Sequence, residues 1–402
     1  MAKEYTFDFQ AAGARLQDVL HPTSLIYAPD FIKGGRSELY IKPENLQTTG
    51  SFKIRGAYNK IAKLDEAQKK RGLVTASAGN HAQGVAYAAK HLGIAATIVM
   101  PKITPFLKVD RTRSYGVDVV LEGDNFDEAN AHCLALAKEK GMTLIPPFDD
   151  YDVIEGQGTI AREILDELPD ADLILVPVGG GGLIAGIAAC AKEINPKIRI
   201  IGVESVGYDS MHISVEKGAV STLTSTRPTI ADGTAVATPG EKTFALARKW
   251  VDEWIQITDY ELMVSFVDLL SKQKIIAEPS GLLSLAAASK LALKGKKMVS
   301  VVSGGNIDLL TVSELVTKGM TFNGRIVTVR VELDNRPGTL VKLLKTFSEQ
   351  RVNIIQVEHD MYKNQASYNG IQVSVTAQTN GKAHIEQLLA ALYKEGYGLT
   401  LE

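Results

Sequence analysis

The stretch LILVPVGGGGLIAGIAACAKEI (173–194) decides the fold. Its apolar opening, 173–178, predicts a strand buried on both faces. Gly179–Gly182 make a turn, and the alanine-rich run from Leu183 predicts a helix. The pattern continues in both directions. IRIIGVE (198–204) is the next strand, and MVSVVSGGN (298–306) closes the series with a strand and a second glycine turn. Upstream, ATIVM (96–100) and DVVLEG (118–123) read as strands and NFDEANAHCLALAKEKG (125–141) as a helix. Strands alternating with helices predict parallel sheets covered on both sides, which bind ligands at the carboxyl ends of their strands.

Near residue 325 the pattern changes. IVTVRVEL, a turn at DNRPGTL, VKLLKTFSEQR and VNIIQVEHDM form a compact βαβ unit, and YNGIQVSVTAQ and HIEQLLAALYKEG add a strand and a helix. This βαββα module predicts a separate domain over 325–402, joined through GMTFNGR (319–325) to a first domain over 1–320. Within the first domain a smaller lobe is expected over about 50–155.

Composition excludes several classes. A net charge of −2 gives no reason to expect nucleic acid or an anionic membrane as partner. No apolar run reaches the eighteen or so residues that a spanning helix needs, and MAKEYTFDFQ lacks the apolar stretch of a signal peptide. Cys133 and Cys190 fall in helical patterns and read as small buried residues. The expected compartment is the cytoplasm.

Three turns carry candidate chemistry. In TTGSFKIRGAYNKIA (48–62), Gly50 and Ser51 suit a turn and an N-cap, which puts Lys53 in the first helical turn. The helix dipole and the apolar neighbours Phe52 and Ile54 both disfavour its ammonium form. A neutral lysine is what Schiff-base chemistry requires, although position alone also fits an ordinary surface lysine. The run Gly179, Gly180, Gly181, Gly182, Leu183 presents backbone amides at a helix N-terminus and predicts a phosphate site. Residue 184 is isoleucine, so the spacing is not G-x-G-x-x-G, and no G-K-[ST] follows. A nicotinamide-dependent oxidoreductase using the glycines and Glu204 is the rival reading; it leaves Lys53 and Asn80 without a role. TASAGNHAQGVAYAAKHLG (75–93) places Ser77, Ala78, Gly79, Asn80 and His81 before an amphipathic helix, where amides can hold a carboxylate. SGGN presents Ser303 at a strand end.

Together, SFKIRGA, SAGNHAQG, the glycine run, EPSG (278–281) and SGGN resemble the fold-type II pyridoxal-phosphate enzymes, in the branch of threonine dehydratases and serine racemases. The resemblance covers about residues 8 to 320. It implies two α/β lobes, pyridoxal 5'-phosphate as cofactor, and elimination of water and ammonia from a β-hydroxy amino acid, threonine first and serine second. Lys53 would bear the cofactor as a Schiff base and Phe52 would pack near its ring. Asn80 would contact the ring oxygen, and Ser303 would face the pyridine nitrogen. Gly179 to Leu183 would cradle the phosphate, and the amides of Ser77 to His81 would hold the substrate carboxylate. Gly233 and Glu278 would lie close to the cofactor. Racemases of this branch carry serine where this chain has Ala78, which cannot transfer a proton. Cation-binding members use an acid at the end of the strand that here ends in Glu204. The following YDS (208–210) departs from the expected two-acid pattern, so a divalent and a monovalent ion both stay open.

Residues 325–402 resemble an ACT domain, a ferredoxin-like amino-acid-sensing module. That implies a homo-oligomer, dimer or tetramer, and an effector site at Asn335, Gly338 and Asn353, with isoleucine or valine as the first candidate inhibitor. A purely oligomer-holding role is the alternative.

Overall fold

The computed structural model describes residues 5–32, 37–291, 293–360 and 370–401. The chain divides into two compact units, Met1–Ile307 and Asp308–Glu402. In chain order the first unit contains the strands β1 (Ile26–Tyr27), β2 (Glu38–Pro43), β3 (Leu73–Ala76), β4 (Ala96–Met100), β5 (Asp118–Leu121), β6 (Thr143–Leu144), β7 (Leu173–Pro177), β8 (Arg199–Ser205), β9 (Glu253–Ile257) and β10 (Lys297–Val302).

They form two sheets. The larger runs β1-β2-β10-β7-β8-β9 and is parallel except where β1 meets β2. The smaller runs β5-β4-β3-β6 and is parallel throughout. Its strands all fall between residues 73 and 144. All five residues of β7 are buried, as an uninterrupted apolar run between two helical layers requires. One core cluster packs Ile174, Val176, Ile184, Ile187 and Val299 in the larger lobe. A second packs Ile54, Ile61, Leu73, Val85 and Ile98 in the smaller one. Each such side chain contributes about 1.5–3 kcal/mol. Cys133 and Cys190 are buried and unpaired.

The second unit contains β11 (Ile326–Asp334), β12 (Asn353–Asp360), β13 (Gly370–Gln378) and β14 (Leu399–Leu401) in one antiparallel sheet, ordered β12-β13-β11-β14. The helices Thr339–Glu349 and Lys382–Lys394 complete a ferredoxin-like βαββαβ fold around Val329, Val331, Phe347, Val373 and Leu388. The short β14, absent from the sequence reading, pairs with β11. Alternating buried and exposed positions along β11 and β13 give a sheet with one face on the core. The helix Leu309–Phe322, which overlaps both the 1–320 range expected for the first domain and the 319–325 linker, belongs to this unit and touches β11. Met361, Tyr368 and Asn369, at the edges of two expected strands, and the first four residues of the N-terminal stretch lie outside the described residues.

Candidate active site

The three turns converge on one cavity of about 810 Å³, within the range of small-molecule sites. Phe52, Lys53, Ser77, Ala78, Gly79, Asn80, His81, Gly179 to Leu183, Gly233, Glu278 and Ser303 all line it. Glycine turns at the carboxyl ends of β7 and β10 deliver two walls, and the helices Lys53–Ala62 and Asn80–Leu92 deliver another with their N-termini.

Lys53 is the first residue of its helix, and Phe52, in helical conformation, occupies the cap position. Ser51 is not the N-cap the sequence suggested. Its backbone is drawn into a bridge with Gly304, next to Phe52 N–H donating to the Ser303 carbonyl at 3.1 Å. That bridge joins the lysine turn to the SGGN turn. Lys53 is half-buried and faces the cavity. Burial lowers its pKa to about 8, with the nearby Glu278 opposing the shift. Its Nζ donates to the Pro147 carbonyl at 2.8 Å.

Asn80 and Glu278, 198 positions apart, meet across the cavity: Asn80 Nδ2 donates to Glu278 Oε1 at 2.6 Å. Asn306 Nδ2 donates in turn to Asn80 Oδ1 at 2.7 Å, which fixes the orientation of the Asn80 amide. One Nδ2 hydrogen of Asn80 is left for a ligand. Burial pushes Glu278 up to about 7, moderated by the Asn80 hydrogen bond. Lys108 and Asp232, 3.8 Å apart, link the small lobe to the turn carrying Gly233 at the cavity's mouth.

The segment Ser77–His81 offers fewer amides than expected. Ser77 N–H donates to Val99 in the sheet, and Gly79 N–H to its neighbour's Ser77 Oγ. Asn80 and His81 remain at the helix N-terminus, where amides lack intrahelical partners. The His81 ring is buried, shares a 3.0 Å hydrogen bond with the Ile145 carbonyl, and has its pKa lowered to about 3 by burial and then by Lys53. It is neutral at physiological pH.

At the glycine turn, Gly181 has φ +93, a conformation only glycine adopts at ease, and caps the helix Gly182–Ile194. Thr243 Oγ1 donates to the Gly180 carbonyl at 2.7 Å and so fixes the peptide between Gly180 and Gly181. Ser280 Oγ and His81 Nδ1, on two cavity-lining residues, are buried without a protein partner. An amine on one wall, a helix N-terminus on another and unpartnered polar atoms between them fit a phosphorylated pyridine aldehyde.

Glu204 does not join this site. Its carboxylate accepts the Met211 and His212 N–H groups at 3.0 Å each and caps the helix Ser210–Lys217. Burial raises its pKa to about 8 against those bonds. Among the described residues no group of three or more His, Cys, Asp or Glu side chains could hold a metal ion. In the second unit Asn335, Gly338 and Asn353 are exposed at the β11 turn, the start of the helix Thr339–Glu349 and the start of β12.

This fold and this site define a class. The chain belongs to the pyridoxal-phosphate-dependent enzymes, whose family model matches residues 16–304. It is 42% identical over 395 residues to an L-threonine ammonia-lyase of Thermotoga maritima, covering 98% of each chain. Among solved structures, it is similar to the processed threonine deaminase isoform 2 of Solanum lycopersicum, at TM-score 0.74 and 39% identity over 77% of this chain and 92% of that one. It is also similar to maize serine racemase, at TM-score 0.73 and 36% identity over 79% and 99% of the two chains.

Proposed function

We propose that this chain is a pyridoxal-phosphate-dependent threonine ammonia-lyase that converts L-threonine to 2-oxobutanoate and ammonia, and L-serine to pyruvate. The observation that carries the reading is one cavity holding a desolvated lysine and a glycine-turn helix N-terminus. The full-length likeness to a threonine ammonia-lyase supports the substrate.

When bound, pyridoxal phosphate supplies an aldehyde that condenses with amines and a ring that delocalises the charge left on the substrate Cα. Lys53 would hold the cofactor through its Nζ, and the same amine, whose pKa burial lowers to about 8, would serve as the base for the substrate Cα proton. The amides of Gly179 to Leu183 hold the phosphate. The free Nδ2 hydrogen of Asn80 would be available to the ring oxygen, and Glu278 steers that amide. Phe52 flanks the ring and Gly233 lets it approach. Ser303, which lines the cavity, would offer a pyridine nitrogen a hydroxyl, a weaker partner for a ring proton than a carboxylate. The amides of Asn80 and His81 would bind the substrate carboxylate.

The second unit is proposed to be an ACT-type regulatory module that binds a branched-chain amino acid at Asn335, Gly338 and Asn353 in a homo-oligomer. The cytoplasm is the proposed compartment, supported by the two buried thiols.

The test is the visible spectrum of the purified protein. A yellow band removable by borohydride, absent from Lys53→Ala, with 2-oxobutanoate released from L-threonine, is the expected result. A colourless protein that pyridoxal phosphate cannot reconstitute overturns the reading.

A further inference from the structure

Two glycines of the helix Tyr151–Glu167 stand where its neighbours come closest. A Cβ on Gly156 would lie 2.6 Å from the Arg55 carbonyl oxygen and 2.7 Å from the Gly56 Cα. A Cβ on Gly158 would lie 2.7 Å from the Gly186 carbonyl oxygen and would strike the Phe9 ring. The contacts are reciprocal: a Cβ on Gly56 would meet the Val153 carbonyl at 2.6 Å, and one on Gly186 the Gly158 nitrogen at 2.7 Å. Backbone atoms cannot rotate aside, so an added methyl must push the helices apart.

Positions two apart on a helix point about 200° from each other. Gly156 therefore faces the helix that begins at Lys53, and Gly158 faces the helix that begins at the glycine turn. The same helix grips the lysine side again through Gln157, whose Oε1 accepts the Gly56 N–H at 3.2 Å. The chain leading into it starts at Pro147, whose carbonyl holds Lys53, and continues to Phe148, whose ring fills the space beside Gly180. One continuous run, 147–158, thus reaches both ends of the cavity.

We propose that Gly156 and Gly158 are positioning residues that set the span between the Lys53 amine and the glycine-turn amides. The proposal rests on the reading of those two groups as aldehyde and phosphate anchors. Pyridoxal phosphate carries its aldehyde and phosphate on one rigid ring, so both anchors must be met at a fixed separation. Gly156 sets the lysine end and Gly158 the phosphate end.

The experiment separates the ends in the full-length apoenzyme. Pyridoxine 5'-phosphate has no aldehyde, so its calorimetric affinity reports the phosphate end alone. Pyridoxal has no phosphate, so its borohydride-trapped yield on Lys53, followed by mass across pH, reports the lysine end alone. Gly156→Ala is expected to lower the trapped yield about tenfold or more with pyridoxine 5'-phosphate affinity held within about twofold. Gly158→Ala is expected to do the reverse. If Gly158→Ala does not fold, the pair Phe9→Leu with Gly158→Ala removes the ring contact and leaves the backbone one. If Gly156→Ala does not fold, Gln157→Ala loosens the same end and is expected to lower trapping alone. Variants that lose both readouts together, or that lose only thermal stability, overturn the inference. Wild-type protein that traps no pyridoxal at Lys53, or binds no pyridoxine 5'-phosphate, instead overturns the functional reading beneath it.

Discussion

Lys53 Nζ lies 2.8 Å from the carbonyl oxygen of Pro147, and that hydrogen bond orients the nitrogen without choosing its charge. An amine and an ammonium both donate to a carbonyl. Burial makes the choice, and it disfavours the cation.

The first expectation follows from that shift. The folded pKa of Lys53, about 8, lies below the 10.5 of a free lysine. Between those values the unfolded chain binds more protons, so stability of the apoenzyme rises with pH across the window. Below pH 8 the penalty is present in full, on the order of 3 kcal/mol. Lys53→Met removes it. Denaturant unfolding of apo Lys53→Met should therefore show a gain over wild type at pH 7 that shrinks steadily from pH 8 and vanishes near 10.5. A gain independent of pH would mean that the ammonium is not strained.

Arg55, two residues further on, has the opposite electrostatics. It is fully buried and forms two hydrogen bonds to Glu44, at 2.7 and 2.8 Å, and two to Glu163, at 2.5 and 2.8 Å. Thr23 and Lys42 complete the cluster at Glu44 and Glu163. Arg55→Met leaves the buried Glu44 carboxylate without its cation and should cost about 3–5 kcal/mol in urea unfolding. Adding Glu44→Gln should restore part of that loss, because the stranded charge is then gone. A double variant no more stable than the single one would show that packing, not charge, sets the cost.

Ala78 bears on the choice between elimination and racemisation. It lines the cavity and carries no group that can hand a proton to Cα. Wild-type enzyme incubated with L-serine should release pyruvate and form no D-serine on a chiral column. Ala78→Ser should produce measurable D-serine. Racemisation by the wild type at a rate comparable with pyruvate release would require a second proton carrier that this reading lacks.

The local signals were legible in the sequence. Gly179–Gly182 between an apolar strand and an alanine-rich helix announced the sheet, and the site residues read from the turns share one cavity. The failures were of three kinds. Ser51 had the chemistry of a cap but was taken by Gly304, a partner 253 positions away. The strand β9, EWIQI, is half-polar because it lies at the sheet edge, so no buried run marked it. The contact between Asn80 and Glu278, and the fit of Gly156 against Gly56, exist only after folding brings separate turns and helices together.

The effector site is tested on exposed residues, where stability and regulation separate cleanly. Asn335 and Asn353 are both solvent-facing, so replacing either by alanine should leave the thermal midpoint within the small range of surface substitutions. Gly338 is different. At φ +91 an alanine would be strained by about 1–2 kcal/mol, so that variant confounds binding with folding and is the weaker probe. In the full-length enzyme, isoleucine or valine is expected to reduce the initial rate of 2-oxobutanoate release. Asn335→Ala and Asn353→Ala should each raise the concentration for half-inhibition about fivefold, which corresponds to about 1 kcal/mol of coupling. Inhibition that survives both changes would move the effector elsewhere. An enzyme indifferent to both amino acids would leave the βαββαβ unit as a device for assembly, since its fold alone does not specify a ligand.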